Sequence, residues 1–326
     1  MSEKTTPSFV LELPLAVGGP EIHQLSVRFE AARQLYNAVL GEALRRLSLL
    51  KESREWQKIR TLPPGRDRSR AFSDCARKGG FTDYDLQGYG TRCKNGCWIG
   101  EHLDAHAAQR TSTRAFRAAE RYLFCSSGKP RFKTKGQGLS SVEGKSNAAG
   151  IRWRTDHVEW SGLALPPLFD PRDKDGVQTF ALQCRVKYVR IVRKTVGSRK
   201  RWFVQLVCSG VPKWKEKNPV GEGTVGLDLG PSTVAVVGDR DASLEQFCPG
   251  LRDFEKKVRR LKRAMDRSKR RSNPENFNPD QTVKPGRREW VLTRGYLRLR
   301  AKVSDLERRK AAYRKTEHGK LVHRVV

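Results

Sequence analysis

The sequence predicts an α+β multidomain fold: a small β-barrel interrupted after its first strand by a helical insertion, then a partial α/β unit ending in a basic helical hairpin. Three observations predict it. Alternating apolar runs lie on both sides of a long helical block, an acid-bearing hairpin follows them, and the last quarter of the chain holds two cationic helices with apolar seams.

The first strand is Phe9 to Val17, where Phe9, Leu11, Leu13 and Leu15 share one face. Gly18-Gly19-Pro20 ends it. From Glu21 to Arg60, Leu25, Phe29, Leu35, Val39, Leu47 and Leu50 recur at helical spacing, with Arg28, Arg33, Arg45, Arg46 and Lys51 on other faces. Pro63-Pro64-Gly65 breaks this helix or helical pair, and Arg66, Arg68 and Arg70 are expected in a linker. Ala71 to Phe124 reads as helical again, with Trp98, Ile99, Leu103, Ala107, Phe116 and Tyr122 as core and Arg110, Arg114, Arg117 and Arg121 as a basic face. Cys93, Cys97, His102 and His106 are separated by three, four and three residues. The middle gap is too short for a zinc-finger loop, so buried thiols and surface imidazoles are expected and no zinc.

Gly128 to Lys133 then sets Phe132 between Arg131 and Lys133, a pattern that suits phosphate contact beside a stacked base and equally suits an edge strand. Strand signals run through Ile151 to Trp160, Thr179 to Val192 and Trp202 to Cys208, the last two joined around Gly197-Ser198. With Phe9 to Val17 they make the barrel, and Lys213 to Pro219 is the linker out of it.

Thr224 to Asp239 places Asp228 between apolar residues, turns at Gly230-Pro231-Ser232, and returns as Val234 to Val237. A carboxylate buried in such a strand needs a metal, a donor set or a water-filled cleft; the plainer alternative is an Asp that caps the turn. RNase H-like nucleases use this pattern to hold metal, and actin-like ATPases use it to meet phosphate. Leu244 to Phe247 is a third strand. Asp239, Asp241 and Glu245 follow the second strand and are expected to point away from Asp228. Phe254, Val258, Leu261 and Met265 form one seam, Leu292, Tyr296, Leu299, Val303 and Leu306 another, and the Pro-rich loop Asn273 to Pro285 folds the two helices back on each other.

The 326 residues carry 66 Lys and Arg against 35 Asp and Glu, a net charge of +31, with 37% apolar residues. Residues 251–326 alone hold 25 cations against 9 acids. Cores of ordinary size are implied, together with a polyanionic partner, because neutralising phosphates releases condensed counterions. Arg259, Arg260, Lys262 and Arg263, with Arg131, Phe132 and Lys133, are the candidate nucleic-acid contacts. The first twenty residues lack a signal-peptide pattern, no apolar run reaches membrane-spanning length, and seven scattered cysteines suit reduced thiols. No membrane partner is expected, and the expected location is a prokaryotic cytoplasm, close to the nucleoid.

The order of these features resembles the TnpB family, transposon-encoded RNA-guided nucleases related to the type V CRISPR effectors. The resemblance is carried by Leu35-Tyr36-Asn37, Thr113-Arg114-Ala115-Phe116, the turn at 128–133, the strand pair ending at Cys208, and GLDLGPSTVAVV at 226–237. It implies a wedge-like barrel from 1–18 and 126–215, a recognition insertion at 19–125 and a partial RNase H-like (RuvC) domain at 216–326. It further implies guide RNA and target DNA as partners, DNA cleavage by Mg²⁺-dependent hydrolysis in the complete form, and Asp228 as the first catalytic metal ligand. Members of the family continue into a catalytic Glu, a four-Cys zinc ribbon and a last catalytic Asp, whereas this sequence stops at Val326. Two-metal hydrolysis needs several carboxylates, so these residues alone are expected not to cleave. A nuclease-dead RNA-guided DNA-binding protein is the alternative, and an actin-like ATPase ranks third.

Overall fold

The structure, a computed structural model, describes residues 6–124, 127–197, 199–213, 222–250 and 254–325. Cys125, Ser198 and the linker from Trp214 to Pro219 lie outside the described residues. The architecture is mixed α and β. The chain divides into two compact units, one of residues 1–194 with 200–213, the other of 195–199 with 214–326.

The first unit begins with β1 (Ser8–Pro14) and then leaves the sheet for six helices: α1 (Gly19–Glu52), α2 (Arg54–Thr61), α3 (Arg66–Lys78), α4 (Asp83–Asn95), α5 (Ile99–His102) and α6 (Ala105–Leu123). The α1 helix starts where Glu21 Oε2 accepts from the Gly18 amide at 2.9 Å, satisfying a donor that the helix itself leaves free. It buries Leu25, Phe29, Leu35, Val39 and Leu47 along one stripe. Ser53 ends it and caps α2, its hydroxyl accepting from the Trp56 amide at 3.2 Å. Arg66, Arg68 and Arg70 lie in α3 and not in a linker. Gly65 behind Pro63-Pro64 supplies the break and a new helix starts at once. Among the expected core residues Ile99, Leu103, Ala107 and Phe116 are buried, but Trp98 is 38% exposed, because it caps the single turn of α5 instead of sitting within a long helix. Helices α1, α4 and α6 meet at Gly90, where any side chain would collide with the Ser112 hydroxyl.

The sheet resumes after the helices with β2 (Ser141–Glu143), β3 (Ile151–Trp153), β4 (Val158–Trp160), β5 (Leu163–Leu165), β6 (Val186–Val196) and β7 (Arg199–Ser209). One ladder has the order β1-β7-β6-β2 and the other the order β3-β4-β5. They adjoin where Leu15 bridges Pro167 and the Leu168 amide donates to the Pro14 carbonyl at 2.7 Å. The β4–β5 connection is the two-residue turn Ser161-Gly162, with φ of 45° and 82°, the left-handed pair that a tight hairpin requires.

Thr179 to Gln183, expected in a strand, belongs to α7 (Val177–Gln183). The Asp173 carboxylate accepts from the amides of Gln178 at 3.0 Å and Thr179 at 2.7 Å, holding the first turn, and the strand begins at Val186.

One network ties helices to sheet. Arg28, 8% exposed on α1, donates to the carbonyls of Trp160 and Ser161 and lies 4.9 Å from the Trp160 ring. Trp160 Nε1 donates at 2.9 Å to Asp104, whose other oxygen caps α6 through the amides of His106 and Ala107. Burial depresses the Arg28 pKa, and Asp104 opposes that shift.

In the second unit β8 (Gly226–Leu229), β9 (Thr233–Val237) and β10 (Ala242–Gln246) form an antiparallel sheet of order β10-β9-β8. Helices α8 (Glu255–Arg271) and α9 (Arg294–Val325) follow. They run antiparallel: Lys310 meets Glu255 at 2.9 Å, while Ser268 and Thr293 hydroxyls are 3.1 Å apart. Val258 and Leu306 are the buried members of the expected seams. The intervening loop is more ordered than a Pro-rich connection suggests. Fully buried Asn273 donates to the carbonyls of Lys269 and Val291 and accepts from the Val291 amide, and Asn276 donates to the Glu289 carbonyl.

Candidate nucleic-acid interface

The segment Arg131-Phe132-Lys133 is neither helix nor strand. It is nevertheless held in place by side chains of α1. The Asn37 side chain on α1 accepts from the Lys133 amide at 2.8 Å and donates to its carbonyl at 2.9 Å, pairing with the backbone as a neighbouring strand would. Arg33 Nη1 adds a bond to the same carbonyl at 2.8 Å. The Lys133 ammonium lies 5.9 Å from the Tyr36 ring centroid. Arg131 stays exposed and Phe132 is 53% exposed, although its ring edge rests near Gly41. An exposed aromatic flanked by cations, on a backbone already fixed, spends little further entropy when it meets a ligand.

A second basic surface is one that sequence reading had singled out only as a helix face. Arg110, Arg114, Arg117 and Arg121 occur at helical spacing on α6, a row about 16 Å long. A groove of about 610 Å³ runs beside it, completed by Ser141 and Glu143 of β2 and by Tyr188 and Arg190 of β6. Glu143 is the organiser: one oxygen accepts from Arg110 Nε at 2.9 Å and the other from Arg190 Nε at 3.0 Å. Arg114 donates to the Ser141 carbonyl at 3.1 Å, leaving most of its guanidinium exposed beside those of Arg117 and Arg121. The alternating residues of β6 gave no sign that Arg190 would face α6, because that pairing depends on the fold of residues about eighty apart in sequence.

In the second unit Arg259, Arg260, Lys262 and Arg263 are all exposed on α8. Lys262 approaches Glu307 only to 3.8 Å, and no ion pair engages the other three among the described residues. They remain available to an anion.

Asp228 is exposed, as is the whole of β8, which corrects the expectation of a buried carboxylate. The reason is position: β8 is the edge strand of a three-stranded sheet, and Leu227 and Leu229 beside Asp228 are 56% and 64% exposed. Asp228 pairs with Ala235, whereas Glu245 pairs with Val234, so the two carboxylates lie on opposite faces of the sheet. Asp239 and Asp241 belong to the β9–β10 turn, at the other end of β9 from the β8–β9 turn. Among the described residues no three His, Cys, Asp or Glu side chains lie close enough to share a metal ion, and Cys93, Cys97, His102 and His106 are included in that statement. A two-ion hydrolytic centre needs more oxygen donors than Asp228 offers, so these residues do not fit one. Nor, among them, is any helix long and apolar enough to cross a membrane.

The chain matches no protein-family profile and no curated protein. Among solved structures it is similar to a Cas12f1–sgRNA–target DNA complex, with a TM-score of 0.39 and 13% identity over 96% of this chain and 76% of that one. It is also similar to a CRISPR-Cas12f ternary complex, with a TM-score of 0.31 and 14% identity over 83% of this chain and 56% of that one. Similarity this loose leaves function to be argued from the chain's own residues.

Proposed function

We propose that this chain is an RNA-guided DNA-binding protein of the TnpB and type V effector class, taking structured RNA as its guide and DNA as its target. The observation that carries the reading is the surplus of exposed, weakly paired cations on defined elements: Arg114 and Arg117 on α6, Arg131 beside Phe132, and Arg259, Arg260 and Arg263 on α8. A solvated charged surface distributes its cations among acids, and here acids are too few, since the chain carries +31. In this reading the two sheets of the first unit are the wedge-like barrel, α1 to α6 the recognition insertion, and the second unit part of an RNase H-like domain. Mg²⁺ would be bound in a complete site. Asp228 is proposed as one of its ligands, and no hydrolytic step is assigned to the residues described here.

The isolation of Asp228 among the described residues favours a second reading, a binding module that does not cut DNA. One experiment addresses both. The protein is purified at high salt with its native flanking sequence, the retained RNA is sequenced, and affinity for that RNA is measured across salt concentrations. A steep fall of log affinity with log salt, reduced in slope by alanine at Arg259, Arg260 and Arg263, is expected. A flat dependence refutes nucleic-acid binding altogether. Guide-dependent cutting with Mg²⁺, lost in Asp228→Ala, would refute the non-cutting reading.

A further inference from the structure

We infer that an aromatic cleft in the helical block receives an unstacked base of single-stranded nucleic acid. The inference rests on the reading above that the chain binds nucleic acid, and it adds a place and a mode of contact. The cleft, of about 1130 Å³, is formed by residues of α2, α3 and the C-terminal half of α6. Rings back its lining, Trp56, Phe81 and Phe116 buried and Phe72 partly buried. Trp56 and Phe72 have centroids 4.4 Å apart, and Phe81 and Phe116 lie 5.3 Å apart. Phe124, also of the cleft, is 70% exposed. A large exposed ring next to a ring-lined hollow is costly in water and suits a flat π-faced ligand.

Charge decides what kind of ligand. Lys51, Arg60, Arg68 and Arg77 line the same cleft beside the acids Asp83 and Glu120, and among the described residues only Arg77 of these four cations forms an ion pair, with Asp74 at 3.2 Å. An apolar helix laid in the cleft would bury these cations without compensation. A nucleotide brings a phosphate for them while its base lies against the rings. Arg68 already rests 5.5 Å from the Phe72 ring centroid, showing that cation and ring share one edge of the cleft. Asp83 lies at the cleft as well. One of its oxygens accepts from Thr113 Oγ1 at 3.2 Å, and the other is buried without a donor.

The test uses the full chain with single-stranded RNA and DNA oligonucleotides of about 12 nucleotides, and duplexes of the same sequence. Phe124→Ala removes an exposed ring, and Arg68→Gln removes a partly buried charge. Each variant is expected to weaken single-strand binding about tenfold and to leave duplex binding within about twofold. The RNA and DNA arms show which strand is the source of the base. Unchanged single-strand affinity overturns the inference, as do equal losses on single strand and duplex. Self-association of the parent chain that is abolished by Phe124→Ala also overturns it, because a second copy then fills the cleft. Failure of the parent chain to bind either form overturns the proposed function as well, which separates the two failures.

Discussion

The two units bury their apolar residues very differently. In the first, one contiguous core runs from Leu13 and Leu15 of the β1 region through α1, α4 and α6 to Trp160, Val189 and Leu206. In the second the buried apolar residues are few, chiefly Val234, Cys248, Val258 and Leu306, while Leu227, Leu229, Val237 and Leu244 are more than half exposed on its sheet. What holds that unit is to a greater extent polar: buried Asn273 and Asn276, and Lys269 placed 3.5 Å from the Trp290 ring centroid. The lesson is that apolar content in a sequence does not tell where apolar surface is removed from water. Both units have strands rich in Val and Leu, but among the described residues the main helix-on-sheet contacts lie in the first, where α1 and α6 pack on β2.

Substitutions can break this contrast. The largest effect is expected for Trp160→Ala, which empties a fully buried site, frees Asp104 and leaves Arg28 without its ring. A loss of about 3–5 kcal/mol in urea unfolding of the first unit is expected. In the second unit Asn273→Leu strands the Lys269 carbonyl and the Val291 amide and carbonyl, costing about 2–3 kcal/mol. Hydrogen exchange should place that loss in the α8–α9 loop and not in the sheet. Asn37→Ala removes both bonds to Lys133, for about 1–2 kcal/mol locally, and should open residues 131–133 to protease. By contrast Leu227→Ser, a change that would be severe in a covered strand, should shift stability by no more than about 0.5 kcal/mol. A large effect there would show that the sheet face is covered after all.

The smallest effect concerns pH. Hydrogen bonds from Arg45 and then Arg46, working against desolvation, lower the Glu42 pKa to about 2. Because the folded form is the better acid, this contribution is fully present above the usual carboxylate range and fades as pH falls toward 2. Glu42→Gln should therefore lower the first unit's stability near neutrality and converge with the parent as pH falls toward 2, which flattens the acid limb.

Much of the fold was legible where period and punctuation agreed. The stripe of Leu25, Phe29, Leu35 and Val39, the Pro-Gly break before α3, the β8–β9 hairpin and the α8–α9 seams all follow from local spacing. The misreadings have local physical causes. Thr179 to Gln183 looked like the start of an alternating strand, but a carboxylate six residues back captures its amides and makes a helix. Asp228 looked buried because Leu227 and Leu229 flank it, and edge position is not written in a strand's own residues. The interface was half legible. Phe132 between two cations and the Arg row of α6 are visible as patterns, yet the Asn37 clamp and the Glu143 bridge join residues far apart in sequence and needed the fold to be seen.

The pairing of β1 with β7 has a consequence in time. Phe9 is opposite Cys208 and Leu13 opposite Val204, so the first strand made by the ribosome waits for the last described strand of its unit. The six helices between them can form from neighbouring contacts as they emerge, whereas β1 has no partner strand until residues near Ser209 have left the exit tunnel. Nascent chains halted soon after Leu123 should therefore carry helical structure beside an unpaired apolar strand, the state in which chaperone capture and strand-mediated aggregation compete with folding.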